Sequence, residues 1–298
     1  MTIKLSKIHV ELRAGETMDF TAIILVIVSG LFHSIWNVFT KRSVNKDVFL
    51  WFCQWAAIII FLPFLLIEIR SITSVSASGL LLVLLSMLFH GLYVILLARA
   101  YVVGDLSQVY PIMRGTSPLL VPIIGMIVLD ERLGLIGVTG VFIIVAGIFL
   151  NGDFKSFRNL KNSNKGIIYA FLVGCMITLY TILDKITLKY IPPITLNEAT
   201  NLGNIIALSF FVMKSGAVCR EWTVNWRTIL LGGILAPGGY ILFLKAIEFG
   251  SVSQLAPMRE VGTVFGTLFG ILILKESKGL RRIIASILIT LGIIFLAQ

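Results

Sequence analysis

Two arginines stand where an apolar sequence has little reason to hold them. SQVYPIMRG (Ser107 to Gly115) and SQLAPMRE (Ser253 to Glu260) repeat nearly the same letters, and each puts an arginine, Arg114 or Arg259, shortly after a proline. Both stretches lie in runs long enough to cross a bilayer. A charge near the bilayer centre costs about 2.5–3.5 kcal/mol on insertion scales, so a partner or a water-filled cavity is expected. Arg114 falls about 6 Å in depth from the middle of its run. An arginine fork matches the two oxygens of a carboxylate or phosphonate, which makes an anionic solute one partner. The other is an internal bridge. Glu260 points about 100° away from its neighbour Arg259 on a helix but could reach Arg114 across a bundle.

Further polar residues gather around these arginines. Ser107, Tyr110, Arg114 and Ser117 recur at three- and four-residue spacing, one stripe down a helix. Pro111 removes a backbone donor near the start of that stripe, Pro118 and Pro122 are expected to break the helix further, and Pro257 repeats Pro111. Broken helices expose amide and carbonyl groups to ligands. Gly262, Gly266 and Gly270 follow at four-residue spacing, a pattern that lets another helix approach closely. An earlier run offers Ser29, His33, Trp36, Asn37 and Lys41, with His33 either a proton relay or a hydrogen-bonded interior histidine. His90 with Tyr93, and Tyr180 with Asp184, allow similar pairs of readings, although Asp184 and Lys185 near a run's end are expected at the interface. Glu198, Thr200 and Asn201 open another run and are expected to reach water. Tyr240 follows APGG, an expected helix interruption, and is a cavity-lining candidate. The candidate proton carriers are His33, Glu198 and Glu260. The candidate substrate contacts are Arg114, Tyr110, Trp36, Asn37, Tyr93, Tyr240, Arg259 and Glu260.

The elements that must position these residues follow from composition. The 298 residues are 57% hydrophobic and 13% charged, against about 25% charged in soluble domains. Breaks at charged or Gly/Pro-containing turns define ten apolar runs near 20–40, 48–69, 78–98, 106–129, 133–151, 166–186, 194–213, 228–248, 252–274 and 279–297, so an all-α integral membrane protein is expected. The net charge of +10 concentrates in the links, as topology and anionic lipid require, and argues against nucleic acid. Three scattered cysteines form no metal or redox motif, and no HExxH, GxSxG or Walker sequence is present. Neither enzymatic activity, ATP-driven pumping by this chain, a cofactor nor a metal is therefore expected. Residues 1–19 read as an amphipathic lead-in.

The longest link, 152–165, is polar and basic and falls mid-chain, and the letters on its two sides correspond. ARAYVVGDLSQVYP aligns with LKAIEFGSVSQLAP, LDERLGL with LKESKGL, and Gly30 and Lys41 with Gly174 and Lys185. Residues 20–151 and 166–298 are thus two five-span repeats. An odd span number inverts the second repeat, the architecture of secondary transporters whose site lies where the repeats meet.

These features together resemble the drug/metabolite transporter superfamily, EamA type. The carriers are Pro111 followed by LLVPIIGMIVLDERLGLIGVTGVFIIVAGIFL, and Pro257 with its counterpart ending in ILILKESKGLRRIIASILITLGIIFL. The resemblance implies a solute carrier, often an exporter of amino acids or related metabolites, with both termini in the cytoplasm. Charge counting disagrees with that topology. The links at 41–47, 99–105, 152–165, 214–227 and 275–282 carry fifteen Lys and Arg, the other side seven, which places the termini outside. The expected function is secondary-active transport of a small anionic or zwitterionic metabolite through a central cavity, by a monomer in the cell membrane, with the proton as a coupling ion. The alternatives are a lipid or lipid-linked sugar flippase and a non-transporting membrane component.

Overall fold

The structure is a computed structural model that describes residues 19–72, 75–103, 106–152, 164–272 and 279–298. Its helices, in chain order, are α1 (Phe20–Arg42), α2 (Lys46–Ile72), α3 (Ala77–Val103), α4 (Leu106–Val128), α5 (Leu135–Asn151), α6 (Asn164–Thr187), α7 (Pro193–Ser215), α8 (Val218–Phe249), α9 (Val252–Met258), α10 (Val261–Leu272) and α11 (Leu280–Leu296). Six of them are each long and apolar enough to cross a bilayer. Helices satisfy every backbone polar group internally, the condition a hydrocarbon solvent imposes. The ten spans are α1 to α8, the pair α9–α10, and α11. The amino-terminal lead-in and most of the central link lie outside the described residues.

Three expectations from the sequence require correction. The eighth span begins at Val218, not near 228, and α8 runs through the APGG stretch without interruption, with Pro237 inside it. Pro111, Pro118 and Pro122 all sit inside a continuous α4, so none of them breaks the fourth span. The ninth span does break, at Arg259 and Glu260 after Pro257. There the backbone tightens into i to i−3 bonds: Glu260 N–H donates to Pro257 O at 3.1 Å and Thr263 N–H to Glu260 O at 2.8 Å.

The two halves run in opposite directions. The Lys185 ammonium, two residues from the end of α6, donates to the carbonyls of Ile247 and Gly250 at the end of α8. Gly250 in turn lies against Ala22 at the start of α1. The first helix of one repeat therefore starts at the face where the first helix of the other ends; we call this the near face. Packing is exchanged symmetrically as well. Helix α1 packs on α8 as α6 packs on α3, and α1 meets the α9–α10 span as α6 meets α4. Gly147 of α5 seats on Ala285 and Ile289 of α11, while Gly292 of α11 seats on Gly140 and Ile144 of α5, the same contacts with the repeats exchanged.

The largest apolar core, including Ala22, Val121, Ile247, Val252 and Leu255, fills the near-face half of the bundle. A smaller cluster of Ala100, Val109, Met113, Ala170 and Val173 packs the counterpart helix ends at the far face. Large apolar side chains such as Ile67, Ile127 and Leu135 point outward, where lipid would cover them.

Candidate functional site

Six elements converge on a polar centre: α1, α3, α4, α6, α8 and the break between α9 and α10. Small residues permit the approach. Gly30 of α1 lies against the backbone of Arg259 and Gly262, and its repeat counterpart Gly174 lies against Met113 O and Thr116 of α4. Ser29 donates to Gly239 O of α8 at 2.6 Å, and Ser34 donates to Gly262 O just past the break at 2.5 Å. These bonds hold α1 against both α8 and the interrupted span.

Arg114 and Glu260 face each other in this centre. Arg114 Nη1 lies 3.4 Å from Glu260 Oε1, with the side chains 23% and 9% exposed. Arg114 Nη2 donates to His33 Nε2 at 2.6 Å, and the guanidinium lies 5.8 Å from the Tyr110 ring centre. Guanidinium only donates, so His33 Nε2 accepts and its ring proton resides on Nδ1. Glu260 Oε2 accepts from Thr263 at 3.0 Å. Arg114 stands three residues after Pro111 and Glu260 three after Pro257, equivalent positions of the two repeats. Equivalent residues that touch each other lie on the pseudo-two-fold axis. The pair thus marks the point common to both halves. Its 3.4 Å separation is long for a charge-assisted bond, so the pair is in contact without being tightly locked.

Arg259 has different surroundings. Its guanidinium lies 5.2 Å from the ring centre of Tyr240 and 4.7 Å from that of Phe243, a cation–π seat. Among the described residues no carboxylate lies within ion-pairing distance of it.

The fourth charged group, Asp184, is fully buried, not interfacial as the sequence implied. Being near a helix end, it was expected to reach water, but α3 and α8 cross over that end. Its Oδ1 accepts from Ser86 Oγ at 2.5 Å and its Oδ2 from the Tyr240 hydroxyl, with His90 Nε2 3.8 Å from Oδ2. The His90 ring stacks on Tyr180 with centres 4.0 Å apart, and Tyr93 meets Tyr180 edge-on at 5.8 Å. Sequence reasoning missed Asp184 and Ser86 as anchors. The signal was present in the four-residue spacing of Ser86 with His90 and of Tyr180 with Asp184, which puts each pair on one helix face.

The remaining candidates divide. Trp36 meets His33 edge-on at 5.3 Å, beside the centre, while Asn37 is exposed. Glu198 is 3% exposed, as Thr200 and Asn201 are also buried, which corrects their placement in water. It accepts from Asn197 at 2.9 Å and Asn201 at 3.1 Å in a separate polar seam of α7, the helix that packs on α2 and α3. Pro111 packs on Gly152, joining α4 to the end of α5. The Ser107 side chain lies outside the described residues. A groove of about 380 Å³ between α10 and α11 is mostly apolar, with Thr267, Ser286 and Thr290 among residues such as Leu268, Ile271 and Ile287, and does not include the charged centre. No cluster of metal-ligating residues occurs among the described residues.

Comparison with known proteins agrees with this architecture. An uncharacterised transporter of Archaeoglobus fulgidus is 24% identical over 80% of this chain and 84% of its own. A Listeria monocytogenes protein named for sugar uptake is 26% identical over 65% of this chain and 70% of its own. A crystal structure with 15% identity shares the fold at a TM-score of 0.72, covering 93% of both chains. The EamA-like transporter family matches residues 20–152 and again 164–298. Twice matched across nearly its whole length, the chain belongs to the EamA-like transporter family, within the drug/metabolite transporter superfamily, and is a multi-pass membrane protein.

Proposed function

We propose that this transporter moves a small anionic or zwitterionic metabolite, such as an amino acid, by alternating access to the centre between its two repeats. The observation that carries this reading is the inequality of the two arginines. Glu260 neutralises Arg114, while Arg259 rests on two aromatic faces without a carboxylate. A cation held at mid-depth without a partner is costly, and a solute carboxylate is the group that offsets the cost. Arg259 is then the first contact, with Tyr240 and Tyr93 as walls. Glu260 receives an amino group, which loosens its hold on Arg114 and lets that second arginine join. His33 and Trp36 complete the wall on α1. The energy comes from an ion or solute gradient, since the chain has no nucleotide-binding loop.

A second reading is a neutral sugar, favoured by the aromatic faces of Tyr93, Tyr180 and Tyr240 and by the name of the Listeria relative. One screen separates the two: thermal stability of the purified protein with amino acids, organophosphonates, sugar phosphates and neutral sugars, beside Arg259→Gln and Arg114→Gln. A ligand at a hundred times its dissociation constant adds about 2.7 kcal/mol. Stabilisation by an anion that is lost in Arg259→Gln supports the anion reading. Stabilisation by a neutral sugar that survives Arg259→Gln overturns it.

A further inference from the structure

We propose that Asp184 and His90 form a proton-binding site behind Tyr240, distinct from the Arg114–Glu260 pair, and that this proton is the coupling ion of the transport cycle. A mismatch of hydrogen-bonding roles carries this assignment. His90 Nδ1 lies 2.9 Å from Ser86 O, a carbonyl that can only accept, so Nδ1 carries the ring proton. In the neutral ring Nε2 is then a bare acceptor. It is buried without a hydrogen-bond partner and faces Asp184 Oδ2, itself an acceptor, at 3.8 Å. Two acceptors turned toward each other in a sealed site leave a place for one hydrogen. A water bonded to both at about 2.8 Å would have to sit off their line at an angle of about 85°, well short of its tetrahedral preference. A sodium ion would require several oxygen ligands, and imidazole nitrogen is a poor one. The occupant that fits is a proton, carried by one of the two groups and drawing them together from 3.8 Å into a hydrogen bond.

The surroundings couple this site to the centre. The Asp184 carboxylate is held through the Tyr240 hydroxyl, and Arg259 stacks on the ring of that same Tyr240. Other titratable groups approach from every side. They are His33 on α1, Tyr93 on α3, Tyr110 and Arg114 on α4, Tyr180 on α6, and Glu260 at the break. Lys185, next along α6, is turned away to the carbonyls closing α8. With Arg114 cancelled by Glu260, the unpaired charges of the centre are Arg259 and Asp184. They balance while the site is empty. A solute of net charge −1 arriving at Arg259 leaves one negative charge in excess in a medium that penalises it, whereas a zwitterion with its ammonium at Glu260 does not. Uptake of one proton at the Asp184–His90 gap restores neutrality, and release of the anion frees the proton again. The transfer involves a proton from water and no change of oxidation state. The coupling step rests on the anion reading above, but the proton site itself does not.

The test uses pH steps alone as the probe. Infrared difference spectra of the full chain in lipid nanodiscs should show a buried carboxyl band that appears on acidification. The band should be lost in Asp184→Asn, displaced in His90→Gln, and retained in Glu198→Gln. If Asp184→Asn does not fold, Tyr240→Phe removes one donor to the same carboxyl and should displace the band. A band unchanged in Asp184→Asn, or unmoved by both His90→Gln and Tyr240→Phe, overturns the proposal. Because no solute is present, this result is independent of whether an anion binds Arg259.

Discussion

The fourth and ninth spans descend from the same motif, yet the one with three prolines is the one that stays whole. Helix α4 carries Pro111, Pro118 and Pro122 without interruption, whereas its counterpart, with Pro257 alone, divides into α9 and α10. Proline by itself therefore does not decide the break. The difference lies in what grips the backbone. At Gly262, just beyond the break, the Ser34 hydroxyl takes the carbonyl and Gly30 allows α1 to lie close. On the other side Gly174 approaches Met113 O, but Thr178, which corresponds to Ser34, bonds to Gly174 O of its own helix and, among the described residues, to no carbonyl of α4. Duplication supplied two equivalent seats, and a hydroxyl that reaches across on only one side accompanies the interrupted span. The interruption frees Arg259 to turn onto Tyr240 and Phe243, and it puts Glu260 opposite Arg114.

The largest effect expected from breaking this comparison is at the axis itself. Glu260→Gln leaves Arg114 without its counter-charge. Removing one member of a buried ion pair costs 3–5 kcal/mol, and the partial exposure of Arg114 reduces this to about 2 kcal/mol. Because the two positions are equivalent, the exchanged pair Arg114→Glu with Glu260→Arg should recover most of that stability. Thermal unfolding in detergent measures both variants. If the exchange is no more stable than the single variant, the pair does not lie on a functional two-fold axis.

Much of this arrangement is legible in the sequence because it depends on spacing. Ten apolar runs, the Gly30–Gly174 and Lys41–Lys185 correspondences, and the arginines past prolines are one-dimensional patterns, and the fold preserves them. What escaped depends on which helices cross. Asp184 looked interfacial by its position near a helix end, and only α3 and α8 folding over that end seal it. Glu198 looked solvated at the start of a run, and α7 packing on α2 and α3 buries it. The APGG stretch looked like an interruption, yet α8 absorbs it. Gly233 and Gly239 allow close helix contact there, with Ala56 and with the backbone of Ser29, a role the letters alone do not distinguish from flexibility.

A smaller effect sharpens the contrast between the two seats. Ser34→Ala removes a hydrogen bond that crosses between repeats, worth about 1 kcal/mol when its carbonyl partner is left buried. Thr178→Val keeps the buried volume, removes a hydroxyl that only bonds back within α6, and should change stability by about a few tenths of a kcal/mol. The two substitutions, compared by thermal unfolding, should therefore differ in the order given. Equal effects would show that the crossing bond is not what distinguishes the broken span.

The last comparison concerns the two faces and perturbs nothing. Cys219, at the start of α8, is an exposed thiol, while Cys53 is buried and Cys175 is partly covered. Since α8 ends at the near face, Cys219 reports on the far face, the side to which the span order assigns the links with fifteen Lys and Arg. The positive-inside rule puts that face in the cytoplasm. A membrane-impermeant maleimide should then spare Cys219 in intact cells and label it in inside-out vesicles, with Cys219→Ser as the blank. Labelling in intact cells instead would place both termini in the cytoplasm. The near face, with its large apolar core, would then be the cytoplasmic one.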